Sequence, residues 1–132
     1  MSVDPALYVY VVDFIAESRI AGRPVQIDNL SVRFTNALPD NILGNCTPYN
    51  RGVDGRPAVL INTAYWEYES DTFKKVVVFH ELGHCVLWRP HVLTYLGPNN
   101  NITSIMYPSI NTDISVYADN WAYYMHELFY GF

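Results

Sequence analysis

The sequence has 132 residues, of which half are hydrophobic and only 16% are charged. This composition excludes a disordered or low-complexity chain, and the length predicts one domain that spans residues 1–132. The net charge of -5 argues against binding to a nucleic-acid backbone. No apolar run approaches the roughly 18 residues of a membrane-spanning helix, so no membrane span is predicted.

The N-terminal segment is typical of a helix. Asp4 as N-cap and Pro5 at the first helical position predict a helix over residues 5–21, which Gly22 ends. Asp4 also precedes the apolar stretch and Asp13 interrupts it, so no secretory signal peptide is expected. The expected location is therefore the cytoplasm or a viral particle.

Three short strands follow in the first half of the chain. Residues 30–35 alternate between apolar and polar, as a half-buried strand does, and a weaker strand is expected at 42–46. The continuous apolar run at 58–62 predicts a third strand that is buried on both faces. Glycine and proline between them predict a loop or hairpin turn over residues 47–57.

The second half is predicted to be mainly helical. Ser70 and Asp71 cap a helix that extends to about Leu87. A loop is expected over 88–104, and a final helix over about 112–130. The predicted fold class is therefore α+β, with an N-terminal helix, a small three- to four-stranded sheet, a central helix and a C-terminal helix.

Cys46 and Cys85 are too few for a disulfide framework. They can still pair if a strand and a helix bring them together. For a chain without a signal peptide, two free and buried thiols are the expected state.

Residues 80–84 read His-Glu-Leu-Gly-His, and this motif carries the predicted chemistry. His80 and His84 lie four apart on a helix, so both imidazoles can bind one Zn²⁺ ion. Glu81 flanks the same cleft and can act as the general base that takes a proton from zinc-bound water. Gly83 weakens a helix by about 1 kcal/mol relative to Ala, which predicts close approach of another backbone, such as a packed strand.

A catalytic zinc needs a third protein ligand and an open fourth position. His91 is the leading candidate, because Pro90 ends the helix and lets the chain turn back toward the metal. His126 and Glu127 on the last helix are alternatives, and Asp119 is a weaker one.

These residues resemble the metzincin zinc metallopeptidases. The likeness lies in the helical His-Glu-x-x-His, a nearby third His and an apolar turn that contains a Met, Ser-Ile-Met-Tyr-Pro at 104–108. More narrowly, His-Glu-Leu-Gly-His-Cys, Ser-Ile-Met-x-Pro and a terminal Tyr-Tyr-x-x-Glu-Leu-Phe resemble small bacterial and viral metallopeptidases. The resemblance covers about residues 44–129 and implies a minimal zincin-like domain, with Met106 as an apolar floor (the Met-turn) beneath the metal.

The chain departs from the metzincin pattern in the turn after the helix. The interval from His80 to His91 is eleven residues where the family has ten, and position 87 is Leu where the family has Gly. Leu87 or Trp88 would adopt a positive φ only at a cost, which predicts a turn of different shape. Tyr107 follows the Met one residue earlier than the metal-reaching Tyr of some metzincins, so a packing role is expected first and a hydrogen-bond donor to the transition state second.

The leading functional hypothesis is a zinc-dependent peptidase that uses Zn²⁺ on His80, His84 and His91 and Glu81 as base. Its partner would be a peptide or protein substrate. The resemblance implies a cleft-edge strand that pairs with the substrate backbone, and the strand at 58–62 is equally well explained as such an edge or as a central core strand. The alternative hypothesis is a subunit of a larger particle, such as a phage tail or baseplate, with catalysis retained or vestigial. The 11 Tyr residues agree with contacts to other subunits.

Overall fold

A computed structural model describes residues 1–47 and 57–131 of the chain. These residues form a mixed α+β fold, which confirms the predicted fold class. The strands are β1 (Ser2–Val3), β2 (Ser31–Thr35), β3 (Gly44–Thr47) and β4 (Ala58–Asn62). The α-helices are α1 (Pro5–Ile20), α2 (Thr63–Trp66), α3 (Asp71–Cys85), α4 (Ser115–Asp119) and α5 (Trp121–Tyr130), and Pro98–Asn100 form a short 3₁₀ turn.

The four strands form one sheet in the order β1-β2-β4-β3. β1, β2 and β4 run parallel, and β3 pairs antiparallel with β4. β4 is therefore a central strand, and Val59 and Ile61 are fully buried, as its apolar run predicts. Of the two roles considered for this strand, the core role is the one observed, and the edge position belongs to β3. Residues 48–56, most of the predicted loop, lie outside the described residues.

The core lies between the sheet and the helices α1, α3 and α5. Phe14 of α1 connects all three helices, because its ring centroid lies 5.2 Å from that of Phe79 and 5.3 Å from that of Phe129. Val32 and Val59 of the sheet are fully buried in the same cluster. The edge-on ring contacts add to the burial of apolar surface, which is the main driving force of folding.

Two helix starts show where local signals were sufficient. Ser70 caps α3 as predicted, since its hydroxyl accepts the Phe73 N–H at 3.2 Å. Asp4 and Pro5 occupy the predicted N-cap and first helical positions of α1, although the Asp4 side chain makes no cap hydrogen bond. The Asp4 carboxylate instead accepts the backbone N–H of Phe34 at 2.8 Å, which ties the start of α1 to β2.

The predicted single helix over 112–130 is wrong, because the chain breaks at Asn120 between α4 and α5. Asn120 has φ -126° and ψ 31°, and its side-chain amide donates to the carbonyl of Val116 at 2.9 Å. Such a local side-chain bond offers the backbone an alternative to the helical ladder. β1 and α2, with two and four residues, were not predicted, since they are too short to show periodicity.

Cys46 of β3 and Cys85 of α3 form a disulfide, so the prediction of free thiols is wrong. The two Cα atoms lie 5.7 Å apart, within the usual range for such a bond. The cysteines are 39 positions apart in the sequence, so their pairing follows only from the packing of the edge strand along this helix. The disulfide fastens the edge of the sheet to the last turn of α3.

Replacing both cysteines by serine is expected to lower the free energy of unfolding by roughly 2–4 kcal/mol, since the cross-link restrains the unfolded chain. Urea denaturation of the wild-type and doubly substituted proteins measures this difference. As a control, dithiothreitol should shift the wild-type midpoint to that of the double variant and leave the variant unchanged. A wild-type protein whose thiols titrate as free without reductant would contradict the prediction.

Candidate metal centre

Three histidines meet at the end of α3. His80 and His84 lie on successive turns of the helix, and His91 lies in the segment that follows it. Their nearest ligand atoms all lie within 4.8 Å of one another, and their ring centroids are 4.8–5.2 Å apart. The sequence predicted this group, and the structure brings all three side chains together as one cluster that could hold a metal ion.

Backbone carbonyls orient two of the imidazoles. Nδ1 of His80 donates to the carbonyl of Ile105 at 2.7 Å, and Nδ1 of His84 donates to the carbonyl of Arg89 at 2.7 Å. Because a carbonyl can only accept, it places the proton on Nδ1 and leaves Nε2 as the lone-pair donor. This arrangement is typical of metal-binding histidines, whose outer hydrogen bond fixes both tautomer and ring direction.

The same two histidines are held neutral. Burial lowers the pKa of His80 from 6.5 to about 4, against the opposing hydrogen bond to the carbonyl of Ile105. Burial also lowers the pKa of His84. Neutral imidazole is the form that binds a metal, so no proton has to leave these side chains at neutral pH. Three imidazole nitrogen donors fit Zn²⁺, which favours such ligands.

The alternative third ligands do not join this cluster among the described residues. His126 is exposed and stacks on the ring of Tyr130 at 4.6 Å between centroids. Glu127 is buried, and its carboxylate forms an ion pair with Arg89 at 2.9 Å. Asp119 is exposed on α4. His91 is therefore the third residue that the structure brings to His80 and His84, and its role as a metal ligand stays a prediction.

The turn that returns the chain to the cluster contains a left-handed residue without glycine. Trp88 has φ 58°, a conformation that L-residues adopt at a cost of about 1–3 kcal/mol. The N–H of Arg89 donates to the carbonyl of Gly83 at 3.0 Å and closes the end of the helix. Of Leu87 and Trp88, the two residues considered for a positive φ, only Trp88 has one.

The group that approaches Gly83 is the side chain of Met106 and not another backbone, so that part of the prediction is wrong. A Cβ at position 83 would overlap the sulfur of Met106 and would lie 3.1 Å from its methyl carbon. Met106 is fully buried, and its N–H donates to the hydroxyl of Ser104 at 2.9 Å. The missing side chain at Gly83 therefore leaves room for the Met106 side chain against α3, and the role of Met106 as a floor beneath a metal stays a prediction.

Glu81 faces a cavity of about 590 Å³ that the three histidines also line. The cavity is bounded by residues 41–46, by α3 and by residues 107–110. Glu81 is 7% exposed, and burial raises its pKa to about 8. A Cβ at Gly44 would lie 3.1 Å from the Oε2 atom of Glu81, so the edge strand leaves little space beside the carboxyl group.

Tyr107 lines the same cavity, and its hydroxyl shares a hydrogen bond of 2.9 Å with that of Tyr95. The two rings pack edge to face at the rim. This contact agrees with the packing role expected first. The hydrogen-bonding role toward a transition state stays a prediction.

Sequence reasoning missed three groups that shape the site: the carbonyls of Ile105 and Arg89, and Gly44. Ile105 lies in the turn at 104–108 that the sequence indicates through Met106, so this turn was a signal for its position near the site. No signal indicated Arg89 or Gly44, because their roles depend on which distant segments meet.

No protein-family model, curated protein or solved structure matches this chain. The likeness to metzincins therefore stays a prediction from the motifs. None of the helices in the described part of the chain has the length and apolar character needed to cross a membrane.

The contact between position 83 and Met106 gives a testable prediction. Gly83→Ala is expected to lower the free energy of unfolding by about 1–3 kcal/mol, because crowding against the Met106 sulfur outweighs the gain in helix propensity. In a Met106→Ala background the same substitution should be neutral or stabilising, since only the helix propensity of about 1 kcal/mol remains.

Urea unfolding of the four proteins in this double-mutant cycle measures the coupling. If Gly83→Ala changes the free energy of unfolding by the same amount in both backgrounds, Met106 does not restrict position 83.

Proposed function

We propose that this protein is a zinc-dependent peptidase that hydrolyses peptide bonds within a chain. The observation that supports it best is the convergence of three histidines and one glutamate on a single open cavity. Three protein ligands with an open remaining position are typical of catalytic zinc, whereas structural zinc is closed by four. A glutamate beside such a cluster has a use in hydrolysis and none in a purely structural site.

His80, His84 and His91 would hold the ion through their free imidazole nitrogens. Bound Zn²⁺ would supply Lewis acidity and a lowered pKa for water in the cavity. Glu81 would accept a proton from that water and pass it to the leaving amine. Burial alone raises the pKa of Glu81 to about 8, and the positive charge of a bound Zn²⁺ would lower it again and favour the carboxylate form that a base needs.

The edge strand β3 gives the cavity a peptide-binding wall. β3 pairs with β4 on one side, and no other described strand pairs with its outer side. An extended peptide could add to that outer side through main-chain hydrogen bonds. Val76, Val77 and Ile110 also line the cavity, so an apolar side chain of the substrate would fit there.

Glu81→Ala is expected to retain one zinc per chain and to lose about 10²–10⁴-fold in hydrolysis, since it removes the base and no ligand. Casein or a quenched fluorescent peptide library serves as substrate, and metal content is measured on the same preparations. Zinc binding by both proteins without cleavage by the wild type would contradict the peptidase proposal.

His91→Ala tests the ligand set in the same assay. It should weaken zinc binding measured by chelator competition, whereas His126→Ala, on the exposed face of α5, should leave it unchanged. Unchanged affinity in the His91 variant would exclude His91 as third ligand.

As a second candidate, we propose that copies of the chain associate into a larger particle. The helix α1 favours this proposal, because three apolar side chains on its outer face are exposed: Tyr8 to 56%, Val9 to 53% and Val12 to 42% of their surface. Exposed apolar residues at helical spacing are typical of an interface.

The expected mass in solution by light scattering is a multiple of 15.1 kDa. Val9→Lys with Val12→Lys should reduce it to that of one chain, because the added charges oppose burial of this face. A wild-type mass of one chain at high concentration would contradict self-association.

A further inference from the structure

The backbone of Arg89 connects the end of α3 to a metal-ligand candidate. Its N–H donates to the carbonyl of Gly83 at 3.0 Å, and its carbonyl accepts from Nδ1 of His84 at 2.7 Å. The position of this one residue therefore sets both the closure of the helix and the direction of the His84 ring.

The side chain of Arg89 is bound by residues of the C-terminal helix α5. Its two terminal nitrogens bind the two carboxylate oxygens of Glu127 at 3.0 and 2.9 Å. The first nitrogen also donates to the backbone carbonyl of Glu127 at 2.9 Å and, more weakly, to that of Leu128 at 3.4 Å. The side chain of Glu127 is 1% exposed and that of Arg89 is 15% exposed. This is a paired, largely water-excluded contact with a fixed planar geometry.

His91 depends on the same anchor. No hydrogen bond holds its imidazole among the described residues, so the backbone on either side must place it. On one side stands Arg89, and on the other the N–H of Val92 donates to the carbonyl of Met106 at 3.0 Å. Pro90 between them restricts the backbone further. The segment 89–92 is thus a short strap fastened at both ends.

We propose that the Arg89–Glu127 pair is a positioning device for His84 and His91. The pair holds the strap so that both imidazoles converge on His80 before any metal binds. This inference rests on the metal site of the proposed function and assigns Glu127 a role in supporting that site. Burying two charges costs desolvation free energy that a packed apolar pair would avoid. We therefore attribute the ion pair to its orientation of the strap and not to a gain in stability.

Glu127→Gln tests the proposal, because it keeps the size of the side chain and one hydrogen-bonding oxygen but loses the two-point ion pair with the Arg89 guanidinium. We expect the dissociation constant for Zn²⁺ alone, measured by chelator competition well below the unfolding temperature, to rise about 10–100-fold. The absorption spectrum with Co²⁺ in place of Zn²⁺ should change as well, since it reports ligand geometry. In the metal-free protein, hydrogen exchange at the Arg89 amide should become faster.

Phe129→Leu is the matched control. It lies on the same helix and is 8% exposed, and its ring packs on Phe14 of α1. It should lower stability and leave the Zn²⁺ dissociation constant, the Co²⁺ spectrum and the Arg89 exchange unchanged. Arg89→Lys is a second variant in case Glu127→Gln does not fold. It keeps the positive charge without the planar guanidinium group, and it should also weaken Zn²⁺ binding.

The outcomes separate this inference from the proposed function. Zn²⁺ binding by Glu127→Gln or Arg89→Lys with the wild-type constant and spectrum would overturn the positioning role alone and leave a purely structural ion pair. Failure of the wild-type protein to bind Zn²⁺ would overturn the proposed function, and this inference with it.

Discussion

The candidate site depends on two backbone carbonyls that accept the Nδ1 protons of neighbouring histidines. The carbonyls of Ile105 and Arg89 lie on segments that follow α3, and each directs one imidazole of that helix. A histidine side chain on a helix can rotate, and two such rings four residues apart have no intrinsic reason to converge. The carbonyls remove this freedom and select the tautomer, so the remaining nitrogens point toward a common centre. Other packing near the site serves to hold those two segments in place.

Each segment is held by a different kind of contact. Ile105 is fixed through its neighbour Met106, whose side chain fills the space that Gly83 leaves on α3. Arg89 is fixed by the buried carboxylate of Glu127. One contact is apolar and relies on shape, and the other is ionic and relies on direction. The disulfide fastens β3 to the same helix, so the edge strand and two of the histidines are held by one element, α3.

The core elements were predictable because their signals are local. The bounds of α1, β2 and β4 agree with the predicted segments to within a residue or two, since capping, alternation and apolar runs act over a few neighbours. The break at Asn120 and the strand β1 were missed for the same reason, as neither has a pattern long enough to recognise. The strand β3 was predicted at 42–46, but its position at the edge and the cysteine pairing were missed, because both depend on contacts across tens of residues.

The sequence was sufficient to predict that His80 and His84 share one face of a helix beside Glu81, because helical periodicity follows from backbone geometry alone. It also indicated His91 as the nearest third histidine, without deciding between it and Glu127 or His126. The tertiary structure separates these candidates, since it brings His91 to His80 and His84, pairs Glu127 with Arg89 and leaves His126 on the surface. It also decided that β3 and not β4 forms the edge of the cavity. These outcomes depend on which distant segments pack together, and one-dimensional patterns carry no information on that.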